Sequence, residues 1–171
     1  MAADFARNIL FALFPLGMAY AAASDLLTMT ISNKLVLALL AGFLALSPLV
    51  GMTWHDFAMH WAAGGAVLAV AFFCFAMGWI GGGDAKLASA TALWLGWEST
   101  VEFIGLASIF GGVLTVLILG FRRSVLPAFV IRQPWIQRLH DEEAGVPYGV
   151  ALAIAALATY PHTAWVRMVT G

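Results

Sequence analysis

The chain has 171 residues, of which 63% are hydrophobic and only 10% charged, with a net charge of −1 and a mean hydropathy of +0.94. A soluble domain carries about a quarter charged residues, so a water-soluble globule, a disordered chain and a disulfide scaffold are all excluded, and the near-neutral charge leaves no basic surface for nucleic acid. The single cysteine, Cys74, lies in an apolar run, which rules out an intrachain disulfide and a thiolate metal site.

Six uncharged stretches follow one another: 8–24, 35–55, 57–83, 87–97, 103–121 and 144–166. A helix crosses the hydrocarbon core with about 20 apolar residues and roughly 17 at the least. Five stretches meet that length. The first ends in Ala21-Ala22-Ala23-Ser24, which is similar to a signal-peptidase site. Asp4 offsets Arg7, however, and the apolar run is longer than a signal peptide needs, so the segment is expected to stay as a helix. The third stretch holds His60 and Trp61, expected at the outer interface. The fourth, Leu87–Trp97, is short; it either crosses with little tilt or is buried among the others as a re-entrant segment. Between the fifth and sixth lies the one long polar connection, Phe121–Ala144, whose Phe129, Trp135 and Leu139 alternate with Arg132 and Arg138. It reads as an interfacial segment broken at Pro127 and Pro134, serving as a connector or a substrate-docking element. No internal repeat is present.

Charge sets the orientation. Six crossings with the N-terminus outside place Lys34, Lys86, Arg122, Arg123, Arg132 and Arg138 inside and only Arg7 and Arg167 outside, a stronger positive-inside bias than five crossings give. The expected architecture is an all-α integral membrane protein: a six-transmembrane-helix bundle with a short fourth helix, one domain over 1–171. Trp54, Trp61, Trp94, Trp97 and Trp165 fall near the boundaries, where an aromatic belt belongs.

Polar chemistry gathers at two places. Gly81-Gly82-Gly83-Asp84 puts a carboxylate directly after three residues that are poor helix interior. Such glycines allow unusual dihedrals or the close approach of another segment. The plain structural reading is a glycine turn with Asp84 capping the next helix. Asp25 ends the first apolar run and, in the six-helix topology, shares a membrane face with Asp84. Alone it reads as a helix-end cap. Together, two carboxylates on one face can share a proton, one acting on water and the other on a carbonyl. Lys86 stands beside Asp84 as a charge partner, a substrate contact or a snorkelling lysine. His55-Asp56 has no further metal ligands clustered with it, so no metal and no cofactor is expected.

Three segments resemble the type IV prepilin peptidases, membrane aspartic proteases with a G-x-G-D motif, and by size their short Flp/Tad-pilus branch. They are Ser24-Asp25-Leu26 with Ile31-Ser32-Asn33, Gly81 to Leu87 (G-x-G-D-x-K-L), and Pro147-Tyr148-Gly149 at the start of the last helix. Ser32 departs from the family's proline. The resemblance implies Asp25 and Asp84 as catalytic acids, with Gly81 and Gly83 shaping the site. It also implies a prepilin or pseudopilin substrate with a basic leader, cleaved after a Gly at the cytoplasmic face of the bacterial inner membrane. The cysteine-rich insert of the longer, bifunctional members is missing, which argues against their methyltransferase activity. Asp141-Glu142-Glu143, on the same expected face, is a candidate contact for the basic leader, or merely a solvated run. A presenilin-like protease fits the short chain and the position of Asp25 less well. A proton- or ion-coupled transporter using both aspartates is the reading from another class.

Overall fold

The structure is a computed structural model that describes residues 2–163 and 166, without the side chains of 2–7, 9, 10 and 128. The Asp4 and Arg7 side chains, Trp165 and Arg167 therefore lie outside the described residues. Helices run in the order α1 (Ala2–Thr28), α2 (Asn33–Leu49), α3 (Trp54–Ala76), α4 (Gly82–Arg122), α5 (Ala128–Ile131), α6 (Pro134–His140) and α7 (Tyr148–Thr159), and a 3-10 turn follows at Tyr160–His162. Among the described residues there is no strand. Polar caps start the early helices: Ser32 accepts from the Lys34 amide at α2, and Thr53 from the Asp56 amide at α3.

By length and composition α1, α3 and α4 can each cross a bilayer; α2 is apolar but shorter. Full-length crossing thus holds for three helices taken singly, against the six expected. The outward faces agree with lipid contact. Leu16, Leu37, Val70, Phe72, Val113 and Val116 are all largely exposed, on a surface that water would not tolerate over such an area.

The 41-residue α4 is two legs. At Gly96, φ is 77° and ψ is 175°, a region open essentially to glycine alone. A straight helix would separate Asp84 from Thr115 by about 46 Å. Instead Asp84 lines one cavity with Asp25, Asp25 bonds the Gly149 amide, and Thr115 bonds the neighbouring Tyr148 hydroxyl at 3.1 Å. Ala88 and Ser108 also line a common apolar cleft. The chain therefore turns back at Gly96, and the short fourth stretch is the first leg, 82–95, about 21 Å long at about 1.5 Å per residue.

That leg is the centre of the bundle. Leu87, Thr91, Ala92 and Trp94 have no more than token exposure, packed among Phe14 and Met18 of α1, Leu39 and Phe43 of α2 and the alanine face of α7. Residues 90–96 are buried without interruption, so that part of the leg needs no amphipathic stripe. Trp94 departs from the aromatic-belt expectation: it is fully buried, stacks on Phe14 with centroids 5.2 Å apart, and donates Nε1–H to the Leu39 carbonyl at 2.9 Å. Its indole N–H finds a backbone acceptor inside the core, so the ring has no need of the interface. Trp54 and Trp97 are exposed, as a belt requires.

His60 also differs from expectation. It is buried, with Nδ1 at 2.7 Å from the Leu93 carbonyl, and its ring fills the space beside Gly96. A carbonyl only accepts, so Nδ1 carries the proton. Leu93 stands in the last turn of the first leg, and His60 gives its carbonyl a side-chain donor.

Candidate active site

At the opposite end of the first leg three loop segments meet. Asp25 occupies the last turn of α1, and the chain then turns sharply through Met29, whose φ of 55° is the only positive value for a non-glycine among the described residues. Ser24 fixes that turn by donating Oγ–H to the Thr30 carbonyl at 2.9 Å. The turn delivers Ile31 between two glycines: a Cβ on Gly83 would stand 3.2 Å from Ile31 Cβ, and one on Gly149 would stand 2.8 Å from Ile31 Cδ1.

Asp25 is 5% exposed and accepts the Gly149 amide on Oδ2 at 2.7 Å. Gly149 is the second residue of α7, and no side chain of the preceding Pro147 caps that helix. A carboxylate from α1 thus does for α7 what an N-cap does, against the positive end of the helix dipole. The close approach demands glycine, since a Cβ at 149 would sit 2.8 Å from Oδ2.

Asp84 lies in the first turn of α4, at the third position after the Gly81 cap, with Oδ2 folded back against Gly81. Gly81, at φ −72° and ψ 146°, and the two helical glycines after it use ordinary dihedrals. What their missing side chains supply is space: a Cβ at 81 would meet Asp84 Oδ2 at 2.9 Å, one at 82 the Phe75 ring, and one at 83 Ile31. Of the two reasons that the sequence offered for this run, close approach is the one at work.

A cavity of about 280 Å³ is lined by both aspartates, the Met29–Ile31 turn and the Gly81–Gly83 run. Asp25 and Asp84 come to this cavity from different helices, α1 and α4. Lys86 does not line the cavity; its Nζ donates to Asn33 Oδ1 at 3.0 Å and ties the start of α4 to the start of α2. Asp141, Glu142 and Glu143 are exposed after α6 at this same end and also stand outside the cavity. Among the described residues no group of three or more His, Cys, Asp or Glu side chains could hold a metal ion.

Several residues here were silent or unassigned in the sequence. The sequence motifs that contain Gly149 and Ile31 give neither residue a role. Arg122 and Arg138 counted only as positive charges, yet both bond backbone carbonyls around the site. For Gly149 the signal was its place directly after Pro-Tyr at a helix start; for the arginines the partners are remote in sequence and leave no local mark.

The fold is thus all-helical among the described residues, with three helices apolar and long enough to cross a membrane and two acids from separate helices in one small polar cavity. The Type IV leader peptidase family model matches residues 12–116, well over half of the chain, and the protein belongs to that family. It is a leader peptidase of the prepilin-processing type. The match includes Asp25, the Gly81–Asp84 run and Gly96, and ends before Arg122 and α7. No curated protein and no solved structure matches the chain.

Proposed function

We propose that the protein is an aspartic endopeptidase in which Asp25 and Asp84 form the catalytic pair, removing the basic leader from Flp-like type IV prepilins and pseudopilins. The observation that carries this reading is the shared cavity of about 280 Å³ into which α1 and α4 bring the two carboxylates. Two acids this close hold one proton between them more readily than none. The ionised partner takes a proton from water, and the resulting hydroxide adds to the scissile carbonyl. The protonated partner donates a hydrogen bond to the carbonyl oxygen, and a proton then passes to the leaving amine. Gly81 and Gly83 keep side chains out of the cavity, and Lys86 holds the motif turn through Asn33. Asp141–Glu143 offers the basic leader an acidic approach. No finding favours the transporter reading.

The reading includes placement: six crossings in the bacterial inner membrane, with both aspartates facing the cytoplasm. In this reading the two legs of α4 are the fourth and fifth crossings and α7 with its 3-10 turn the sixth, and the six-to-two excess of lysine and arginine supports this side.

The deciding experiment is leader removal from a co-expressed prepilin, followed by mobility shift. Asp25→Asn and Asp84→Asn should each reduce processing by about 10³-fold or more, the scale of losing a general acid or base. Wild-type processing by either variant at normal abundance overturns the reading. Placement is tested with Cys74 replaced and single cysteines at His55 and Ser124, both exposed positions. A membrane-impermeant thiol reagent on intact cells should label position 55 and spare 124; the reverse pattern inverts the topology.

A further inference from the structure

The 121–144 connection ends up against the two helices that meet at Asp25. Arg122, the last residue of α4, donates Nε–H to the Leu139 carbonyl at 2.9 Å and Nη2–H to the Ala144 and Gly145 carbonyls at 2.7 and 2.9 Å. Those acceptors are the last turn of α6 and the strand of loop that runs, two residues later, into Pro147-Tyr148-Gly149. Arg138, on α6, donates Nη2–H to the Leu27 carbonyl at 2.6 Å. Leu27 is two residues past Asp25 at the end of α1, where carbonyls lack intrahelical donors. Each arginine therefore spends a charged donor on backbone, and the two backbones belong to the two sides of the Gly149–Asp25 hydrogen bond.

We propose that this segment is a clasp in which Arg122 is a positioning residue: by fixing the 139–145 backbone it sets α7 so that the Gly149 amide lies on the Asp25 carboxylate, with Arg138 holding the α1 side. The Asp25–Gly149 contact tolerates little movement, since the missing Cβ at 149 would overlap both the carboxylate and Ile31. A planar guanidinium presents several donors in a fixed fork and so serves three carbonyls at once, which an ammonium on a flexible stem cannot do in one fixed geometry. The role lies outside substrate contact. It predicts a loss in turnover with substrate binding unchanged.

The inference rests on Asp25 being catalytic, and the test separates the two. Full-length protein in liposomes is given a synthetic prepilin peptide with a basic leader, a Gly at the cleavage position and a following apolar helix. Arg122→Gln should lower kcat about a hundred-fold, the scale of a small misplacement of a reacting group, with KM within about twofold. Arg122→Lys should recover part of the loss, to about tenfold below wild type. Arg138→Gln should show a smaller drop in kcat of the same kind. Wild-type kcat in Arg122→Gln, or a loss that falls wholly in KM, overturns the clasp. If Arg122→Gln does not accumulate, Arg122→Lys decides, and wild-type kcat there overturns it. Asp25→Asn is run on the same peptide: cleavage by that variant rejects the catalytic assignment of Asp25, and the clasp with it. Loss in Asp25→Asn beside wild-type turnover in the arginine variants rejects the clasp alone.

Discussion

The first leg of α4 has a glycine site at each end, and the two use glycine for opposite reasons. At Gly81–Gly83 the backbone is ordinary and the absent side chains leave room for the Asp84 carboxylate, the Phe75 ring and Ile31. At Gly96 the backbone itself is unusual, at φ 77°, and the vacant space is filled by the His60 ring. One end opens into the cavity shared by both aspartates; at the other, beside a second pocket lined by His55, Asp56 and Glu98, His60 donates to the Leu93 carbonyl. With Asp25 and Asp84 as the proposed catalytic pair, substitutions at the two ends of this helix should fail in different ways.

The largest effect should come at the open end. The Asp25→Asn/Asp84→Asn double variant should process prepilin no worse than either single variant, because a pair sharing one proton works as a unit. A double variant far below both singles would mean that the two acids act independently.

Gly83→Val comes next. It drives a branched side chain into Ile31, already at 3.2 Å from a bare Cβ, and should lower kcat by about a hundred-fold. Thermal stability of the purified protein should change little. Gly96→Ala should do the converse: it forces a Cβ into a glycine-only conformation and against His60, at a cost of about 1–3 kcal/mol. The expected readout is a lower melting temperature and lower abundance, with turnover per folded molecule retained. Equal losses of turnover in both variants would collapse the distinction between the ends.

His60→Leu sharpens the same point. It leaves the Leu93 carbonyl without its donor in a buried place, worth about 1–3 kcal/mol of stability. A thermal melt should register the loss while kcat stays unchanged. The smallest effect belongs to the exposed Asp141-Glu142-Glu143 run: neutralising all three should raise KM by a few-fold at most and flatten the dependence of cleavage on salt.

The difference between the ends also explains what could be read in advance. The Gly81–Asp84 run announces itself because three glycines and an acid interrupt an apolar chain, and parity of crossings then puts Asp25 beside it. Gly96 gives no such signal. A lone glycine inside an apolar run is compatible with helix, and whether it breaks one is decided by φ and ψ, which the sequence does not display. Nor could hydropathy separate Trp94, bonded to Leu39 in the core, from Trp54 and Trp97 at the surface. His60 has the same origin: its acceptor lies 33 residues away on another helix. What the sequence does mark is apolar length and local motif; what it hides is which buried polar group answers which.

The hydrogen bond from Gly149 to Asp25 has a consequence for the order in which the protein is made. Both acids precede α7 and leave the ribosome before the helix whose amide bonds Asp25. A nascent chain halted before α7 carries the full pair of carboxylates with one of them unanchored. If the proposed pairing of Asp25 with Asp84 holds, docking of α7 sets the moment at which cutting can begin.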